Sequence, residues 1–520
     1  MRAAPARTGV AAGQVATSPV RLMSIPPSPN STEQVEDYFR RGNRLREAGR
    51  FEEAIAAFSA ALKLRPESAE AALNLGHLLE QAGRLEEAVT FYRQAVVSNP
   101  LLPEAHHNLG NVLFKTHRLA EAADSFRQAL ALRPEFAPAW LNLGNALRLQ
   151  NELEPAIEAY RRALALHPDR ADAHVNLANA YRAQNRLEEA LAASRRALAL
   201  APQMPQAHLN TAMVHLVAGD LRAGWPHAEY RQVLKLGGAG REFDRPQWRG
   251  EEPLAERTIL LHAEQGFGDT LQFVRYAANV IALGTTVYVE VQPALQTLLA
   301  ASLPQAAGVL AHGEPLPPFE LHCPLPSLPL AFQTDLASIP AEFPYVQVPD
   351  TYKERWRGYA DGGQALRVGL AWAGNPTHPN DFNRSLTLAE LRGIFTGLPA
   401  AQFFNLKKEL SAADAATLAA APELTDPGPL LGDFADTAAL IEQLDLVIAV
   451  DTSVAHLAGA LGRPVWILLP FSPDWRWLLG REDSPWYPSA RLFRQPRTGD
   501  WGTVLMQVRC ALEQLCAEKV

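Results

Sequence analysis

The sequence predicts an α-helical solenoid followed by two α/β units, and three observations lead there. Small residues recur with a 34-residue step through the first half: Gly42, Gly76, Gly110 and Gly144, continued by Ala178 and Ala212. A proline closes each step, at Pro66, Pro100, Pro134, Pro168 and Pro202. The second half loses this period and alternates short apolar runs with glycine turns and helical patterns, which is how strands of a parallel sheet and their crossover helices read. A chain of 520 residues exceeds one hydrophobic core, so several domains are expected.

The repeats span 35–238, five regular and a sixth degenerate. Each step reads as a helical pair. In the second, Asn74, Leu75 and Gly76 lie in the first helix, Gly83 marks the turn, 86–96 forms the second helix and Pro100 stops it. Ala54, Ala88, Ala122, Ala156 and Ala190 keep the same step, so small residues sit where two helices approach closely. The sixth repeat has Gly224 in place of the alanine, and Trp225-Pro226 interrupts its second helix. Stacked helical pairs usually present a binding surface. Asn74, Asn108, Asn142, Asn176 and Asn210 recur two residues before the small residue. At about 100° per residue they fall roughly 150° from the packed face, so solvent exposure is expected. Asparagine is a poor helix former. Its return reflects either inheritance through duplication or a ladder of amides that binds an extended peptide.

Residues 1–34 are Ala-, Pro- and Ser-rich without the apolar run of a signal peptide, so a disordered leader is expected. Residues 239–255 read as a linker. An α/β unit at 256–350 begins with a strand over 258–261 and runs through Gly266 and Gly268 into a helix. A strand over 285–291 and a helix over 294–301 follow. A proline-rich stretch over 315–329 and a connecting segment at 351–365, helical over 352–359, lead to the second α/β unit at 366–520. Its strands are expected at 367–372, 402–406, 446–450 and 465–469. Helices are expected at 388–395, after Asp451, and at 502–515. Ligands of such sheets bind at the carboxyl ends of strands.

The net charge of −8 argues against nucleic acid as the main partner. Three cysteines form neither a disulfide framework nor a metal spacing, so a reducing, cytoplasmic setting is expected. No apolar run reaches the roughly 18 residues of a membrane span.

Trp140, Leu143, Gly144, Ala156, Tyr160, Ala163 and Pro168 resemble a tetratricopeptide repeat. Gly268-Asp269-Thr270, together with Asp451-Thr452 and His456 before the Ala-Gly-Ala-Leu-Gly-Arg-Pro run, resembles the heptosyltransferase group, glycosyltransferase family nine. Trp372 to Pro376, Asn383-Arg384-Ser385 and Pro473 to Trp477 are similar to a bacterial branch of that group that carries such repeats. The resemblance covers about 243–520 and implies a GT-B fold of two Rossmann-like domains. It implies an inverting, metal-independent glycosyltransferase using a nucleotide-diphosphate sugar, with no bound cofactor. The repeats would recruit a protein or peptide, and the asparagine series is similar to the ladder of eukaryotic protein O-GlcNAc transferases.

Asp269 is the base that the resemblance implies; an aspartate at a helix start is also a common cap. Thr452, Ser453 and Val454 present backbone N–H groups at a helix start, where an anion is favoured. Asp451 would contact the donor sugar, and His456 is either a ligand contact or a buried structural residue. Arg384 and Lys407 are the basic candidates for the phosphates. Arg384 stands where the group has lysine, which leaves the donor open. Trp475, Trp477, Trp486 and Tyr487 read as sugar-stacking rings or as core. Two other classes remain. One is a non-catalytic scaffold with a degenerate transferase fold. The other is an NAD-dependent oxidoreductase built on Gly266-x-Gly268 and Glu290, although Leu271 occupies its third glycine position.

Overall fold

The computed structural model describes residues 29–236, 241–361, 363–378 and 380–519. It forms two compact units, 1–142 and 143–520. Of the leader expected at 1–34, residues 1–28 lie outside the described residues. The first helix, Pro29–Glu47, already starts within the remainder.

The first unit is a helical array. Its complete pairs are Pro29–Glu47 with Phe51–Leu64, Ala69–Gln81 with Leu85–Ser98, and Pro103–Lys115 with Leu119–Leu132. The glycine series has a direct physical cause. A Cβ on Gly76 would lie 2.8 Å from the Tyr92 ring, and one on Gly110 would lie 2.6 Å from Phe126. Each glycine thus admits the aromatic ring of the partner helix. The turn between helices needs a left-handed residue. Gly49 and Gly83 supply it at φ 71° and 75°, and His117 does so at 60°.

The asparagine ladder departs from the expected exposure. Asn74, Asn108 and Asn142 are half-buried. Adjacent repeats crowd this face, and the amides bond across it: Asn142 Nδ2 donates to Asn111 Oδ1 at 2.8 Å.

The second unit begins with the remaining repeats. Leu153–Leu166, Ala171–Ala183, Leu187–Leu200 and Pro205–Val217 continue the pairing. Here Asn176 is half-buried, and Asn210 is buried with its Nδ2 donating to Val175 O at 3.0 Å. The last second helix, Leu221–Ala228, is only eight residues long and contains Pro226. It serves as an anchor. Trp225 is buried, donates to Thr334 O at 2.8 Å and meets the Trp475 ring edge-on. Of the stretch expected as a linker, residues 241–255 are not a free tether: Trp248 is buried and its N–H donates to His322 O at 2.8 Å.

Two parallel sheets follow. The first contains β1 (Thr258–His262), β2 (Thr286–Val291), β3 (Gly308–Ala311) and β4 (Leu321–Pro324), in the order β3-β2-β1-β4. The strand β4 lies within the proline-rich stretch, which an edge strand tolerates. The second contains β5 (Leu366–Ala371), β6 (Ala401–Asn405), β7 (Leu424–Thr425), β8 (Leu446–Val450), β9 (Val465–Leu469) and β10 (Ala490–Arg494). Its order is β10-β9-β8-β5-β6-β7. The C-terminal helix Trp501–Lys519 packs Val504, Val508 and Leu512 against Val368 and Leu370. Strand order reverses between β1 and β4 in one sheet and between β5 and β8 in the other. Such reversals leave a crevice at the carboxyl ends of the strands, where α/β proteins hold ligands.

Candidate functional site

The turn after β1 leads through Gly266 into the helix Phe267–Phe273. Asp269 has two engagements. Its Oδ2 accepts the Gly266 N–H at 3.1 Å, so it does cap the helix. Its Oδ1 accepts from Arg476 Nη2, and the side chain remains 21% exposed. Gly268 is small because another helix is close: a Cβ there would lie 2.7 Å from His456 Cδ2.

That second helix, Ser453–Ala460, follows β8. Thr452 is its N-cap, and the buried Thr452 hydroxyl has no hydrogen-bond partner among the described residues. Asp451 is 8% exposed. Burial pushes its carboxyl up to about 6, nearby Asp474 adds to this, and Arg384 and Arg476 oppose it. His456 is buried, with Nδ1 2.8 Å from the Tyr487 hydroxyl and Nε2 3.8 Å from Asp451 Oδ1. Burial, then Arg476 and other nearby cations, holds this imidazole well below its usual pKa, so it is neutral.

The third element follows β5. Arg384 ends the short helix Asp381–Arg384 and donates from Nη1 to Asp451 O at 3.0 Å. A Cβ on Gly374 would lie 2.9 Å from Arg384 Nη2, so the glycine leaves room for the guanidinium. Gly374 N donates to Ser385 Oγ at 3.0 Å, which ties the two loop segments together. Lys407, after β6, lies 5.2 Å from the centroid of the Trp372 ring, and burial lowers its pKa.

The residue that joins these elements went unassigned in the sequence reading. Arg476, buried in the turn Trp475–Trp477, reaches Asp269 Oδ1, Gln272 Oε1 and Asp474 Oδ1, the last at 2.8 Å. It links the loop after β9 to the helix after β1. The sequence signal was an arginine two residues after an aspartate within an aromatic run. Trp475, Trp477, Trp486 and Tyr487 are buried and act as core. Glu290, the acid of the oxidoreductase reading, is buried and ion-paired with Arg241 at 2.5 Å. Only Oε2 is engaged in this way; Oε1 is buried without a hydrogen-bond partner among the described residues. Among the described residues, no three His, Cys, Asp or Glu side chains are grouped to hold a metal ion. None of the described helices is long and apolar enough to cross a membrane.

The crevice thus collects carboxylates, guanidiniums and a helix N-terminus from the loops that follow strands of two parallel sheets. Tetratricopeptide-repeat families match residues 39–103, 103–136, 144–182 and 171–204. Glycosyltransferase family 9 (heptosyltransferase) matches residues 409–475. The chain thus carries tetratricopeptide repeats in its N-terminal half and, near its C-terminus, a segment that matches glycosyltransferase family 9. That segment includes Asp451 to Val454, His456 and Asp474. It excludes Asp269, Arg384, Lys407 and Arg476.

The chain is 27% identical over 334 residues to Protein FlbA of Caulobacter vibrioides, covering 59% of this chain and 54% of that protein. It thus spans about half the length of that relative. Among solved structures, MamA is 28% identical and covers 33% of this chain and 94% of its own, with a TM-score of 0.32. YrrB, described as a tetratricopeptide-repeat protein with an unusual peptide-binding site, is 23% identical over 34% of this chain and 95% of its own, with a TM-score of 0.32. PilF of Pseudomonas aeruginosa is 20% identical over 40% and 95%, with a TM-score of 0.35. The repeats point to protein or peptide binding, and the C-terminal segment points to glycosyl transfer in general.

Proposed function

We propose that the second unit transfers a hexose or heptose from a nucleotide-diphosphate sugar to an acceptor hydroxyl, with inversion and without a metal, in the cytoplasm. The repeats recruit the acceptor, a protein or a glycan. One observation carries the reading. The turn after β1 and the turn after β8 meet, with Gly268 against His456 one helical turn beyond the unpaired Thr452 hydroxyl. Buried polar groups are nearly always paired, so a ligand oxygen is the natural partner of that hydroxyl.

In this reading the diphosphate rests on the N-terminus of the helix Ser453–Ala460, where backbone N–H groups and the helix dipole favour an anion. The Arg384 fork adds a charge-assisted contact, with Lys407 further out. Asp451 and Ser453 border the donor sugar, and Val454 contributes its N–H. The acceptor oxygen attacks the anomeric carbon as its proton passes to Asp269. The carbon–oxygen bond to the diphosphate breaks, and its electron pair leaves with the phosphate. Arg476 positions the Asp269 carboxylate from behind.

A panel of nucleotide sugars tests this, read by thermal shift and by donor hydrolysis. One donor class is expected to stabilise the protein and to be turned over. No shift with any donor would favour the scaffold reading, and quenching by a reduced nicotinamide cofactor would favour the oxidoreductase.

A further inference from the structure

We infer that Arg148 and Arg182 form an anion-binding subsite where the repeats meet the transferase crevice, and that it takes an acidic side chain next to the acceptor hydroxyl of a polypeptide. The inference rests on the transferase reading for the word acceptor.

Arg148 and Arg182 stand 34 residues apart, at one position of consecutive repeats. Arg46 holds that position in the first repeat, and Glu80, Phe114 and Leu216 hold it in the others, so arginine is not fixed at this register but stands in consecutive repeats only at 148 and 182. The amides nearby are spent. Asn145 Oδ1 accepts from the Tyr160 hydroxyl at 2.9 Å and from Asn176 Nδ2 at 3.0 Å. The arginines are only partly engaged: Arg148 hydrogen-bonds the Tyr160 hydroxyl. The Nε atoms of both are buried without a hydrogen-bond partner, and neither side chain enters an ion pair with the described residues. Burial disfavours the charge on Arg182; Asp474 eases this and Arg148 adds to it.

Their place is fixed by two clips to the loop after β9. Asn185 Nδ2 donates to Phe471 O at 2.7 Å, and Ser472 Oγ donates to Arg182 O at 3.3 Å. Two residues on, Asp474 already accepts from Arg476 N at 3.1 Å and Arg476 Nη1 at 2.8 Å, and Arg476 holds Asp269. The loop thus runs from the arginines to the carboxylate assigned as base. Two adjacent guanidiniums whose nearby carboxylate, Asp474, is already ion-paired with Arg476 are costly unless a further anion joins them, and their forks match a carboxylate. The donor diphosphate has its own cradle at Arg384 and Thr452, so the open anion site belongs to the acceptor.

The test uses the full chain and fluorescently labelled peptides with a central serine, flanked by Asp and Glu, by Asn and Gln, or by Lys. Anisotropy should show the acidic peptide binding about tenfold tighter than the neutral one, with the preference shrinking as salt rises. Replacing both arginines (Arg148→Gln with Arg182→Gln) should abolish the preference, leave nucleotide-sugar binding unchanged and leave the melting temperature equal or higher. The double change to Glu should turn the preference toward the lysine peptide. Equal binding of all three peptides overturns the inference. So does a Gln variant that keeps the acidic preference, or one that loses donor binding instead. An acidic preference in a protein that turns over no donor would instead count against the transferase reading alone.

Discussion

Asp451→Asn should stabilise the second unit at neutral and alkaline pH and leave it unchanged in acid. The carboxyl is buried, and its pKa rises from 3.8 to about 6. A group whose folded pKa is raised holds its proton more tightly in the native state than in the unfolded chain. It therefore costs nothing well below pH 3.8, where both states are protonated, progressively destabilises the fold as pH climbs from there to about 6, and costs a constant amount above that. A carboxyl raised from 3.8 to about 6, at about 1.4 kcal/mol per tenfold change in proton affinity, costs about 3 kcal/mol at pH 8. Asparagine keeps the shape and removes the ionisation. Arg384 binds the backbone oxygen of Asp451, so its hydrogen bond survives the change. Denaturant melts of both proteins at pH 4, 6 and 8 give the assay. The stability difference should grow from below about 1 kcal/mol at pH 4 to about 3 kcal/mol at pH 8 in favour of Asn, with most of the rise complete by pH 6. A variant less stable than the parent at pH 8 would mean that the surrounding guanidiniums more than offset burial, and the reasoning would fail.

Two further outcomes follow from the crevice. Gly268→Ala places a Cβ against a histidine pinned by Tyr487, so the turn bearing Asp269 must retreat by a few tenths of an ångström. Transfer should fall by up to about 100-fold, because catalysis tolerates such misplacement poorly, while circular dichroism shows an intact fold; full activity would mean the two turns need not be in contact. Arg384→Ala should weaken nucleotide-diphosphate binding by about 10- to 100-fold in calorimetry, the value of a charge-assisted contact. An unchanged affinity would remove Arg384 from the phosphate site.

The repeat half was legible because its period is enforced by contact: each small residue faces one ring of its partner helix, so neither can drift. Strands with continuous apolar runs, such as β5 and β8, were also plain. What escaped was set by long-range context. The strand β4 hid among prolines because only its edge position permits them there. Gly266 and Asp269 were read correctly as a helix start, but the partner of Asp269 lies 207 residues away, and no local pattern announces an arginine aimed across a crevice. The asparagine series was placed by helical angle alone, which ignores the neighbouring repeat. That neighbour half-buries the amides and takes their hydrogen bonds.

The most direct measurement is single-turnover transfer by Asp269→Asn at saturating donor, with donor affinity measured alongside. An amide of the same shape keeps an oxygen for Arg476 but cannot take a proton. Transfer should drop by about 100- to 10,000-fold, with donor affinity within a few-fold of the parent. Transfer close to the parental rate would contradict the assignment of the base and, with it, the account of the crevice.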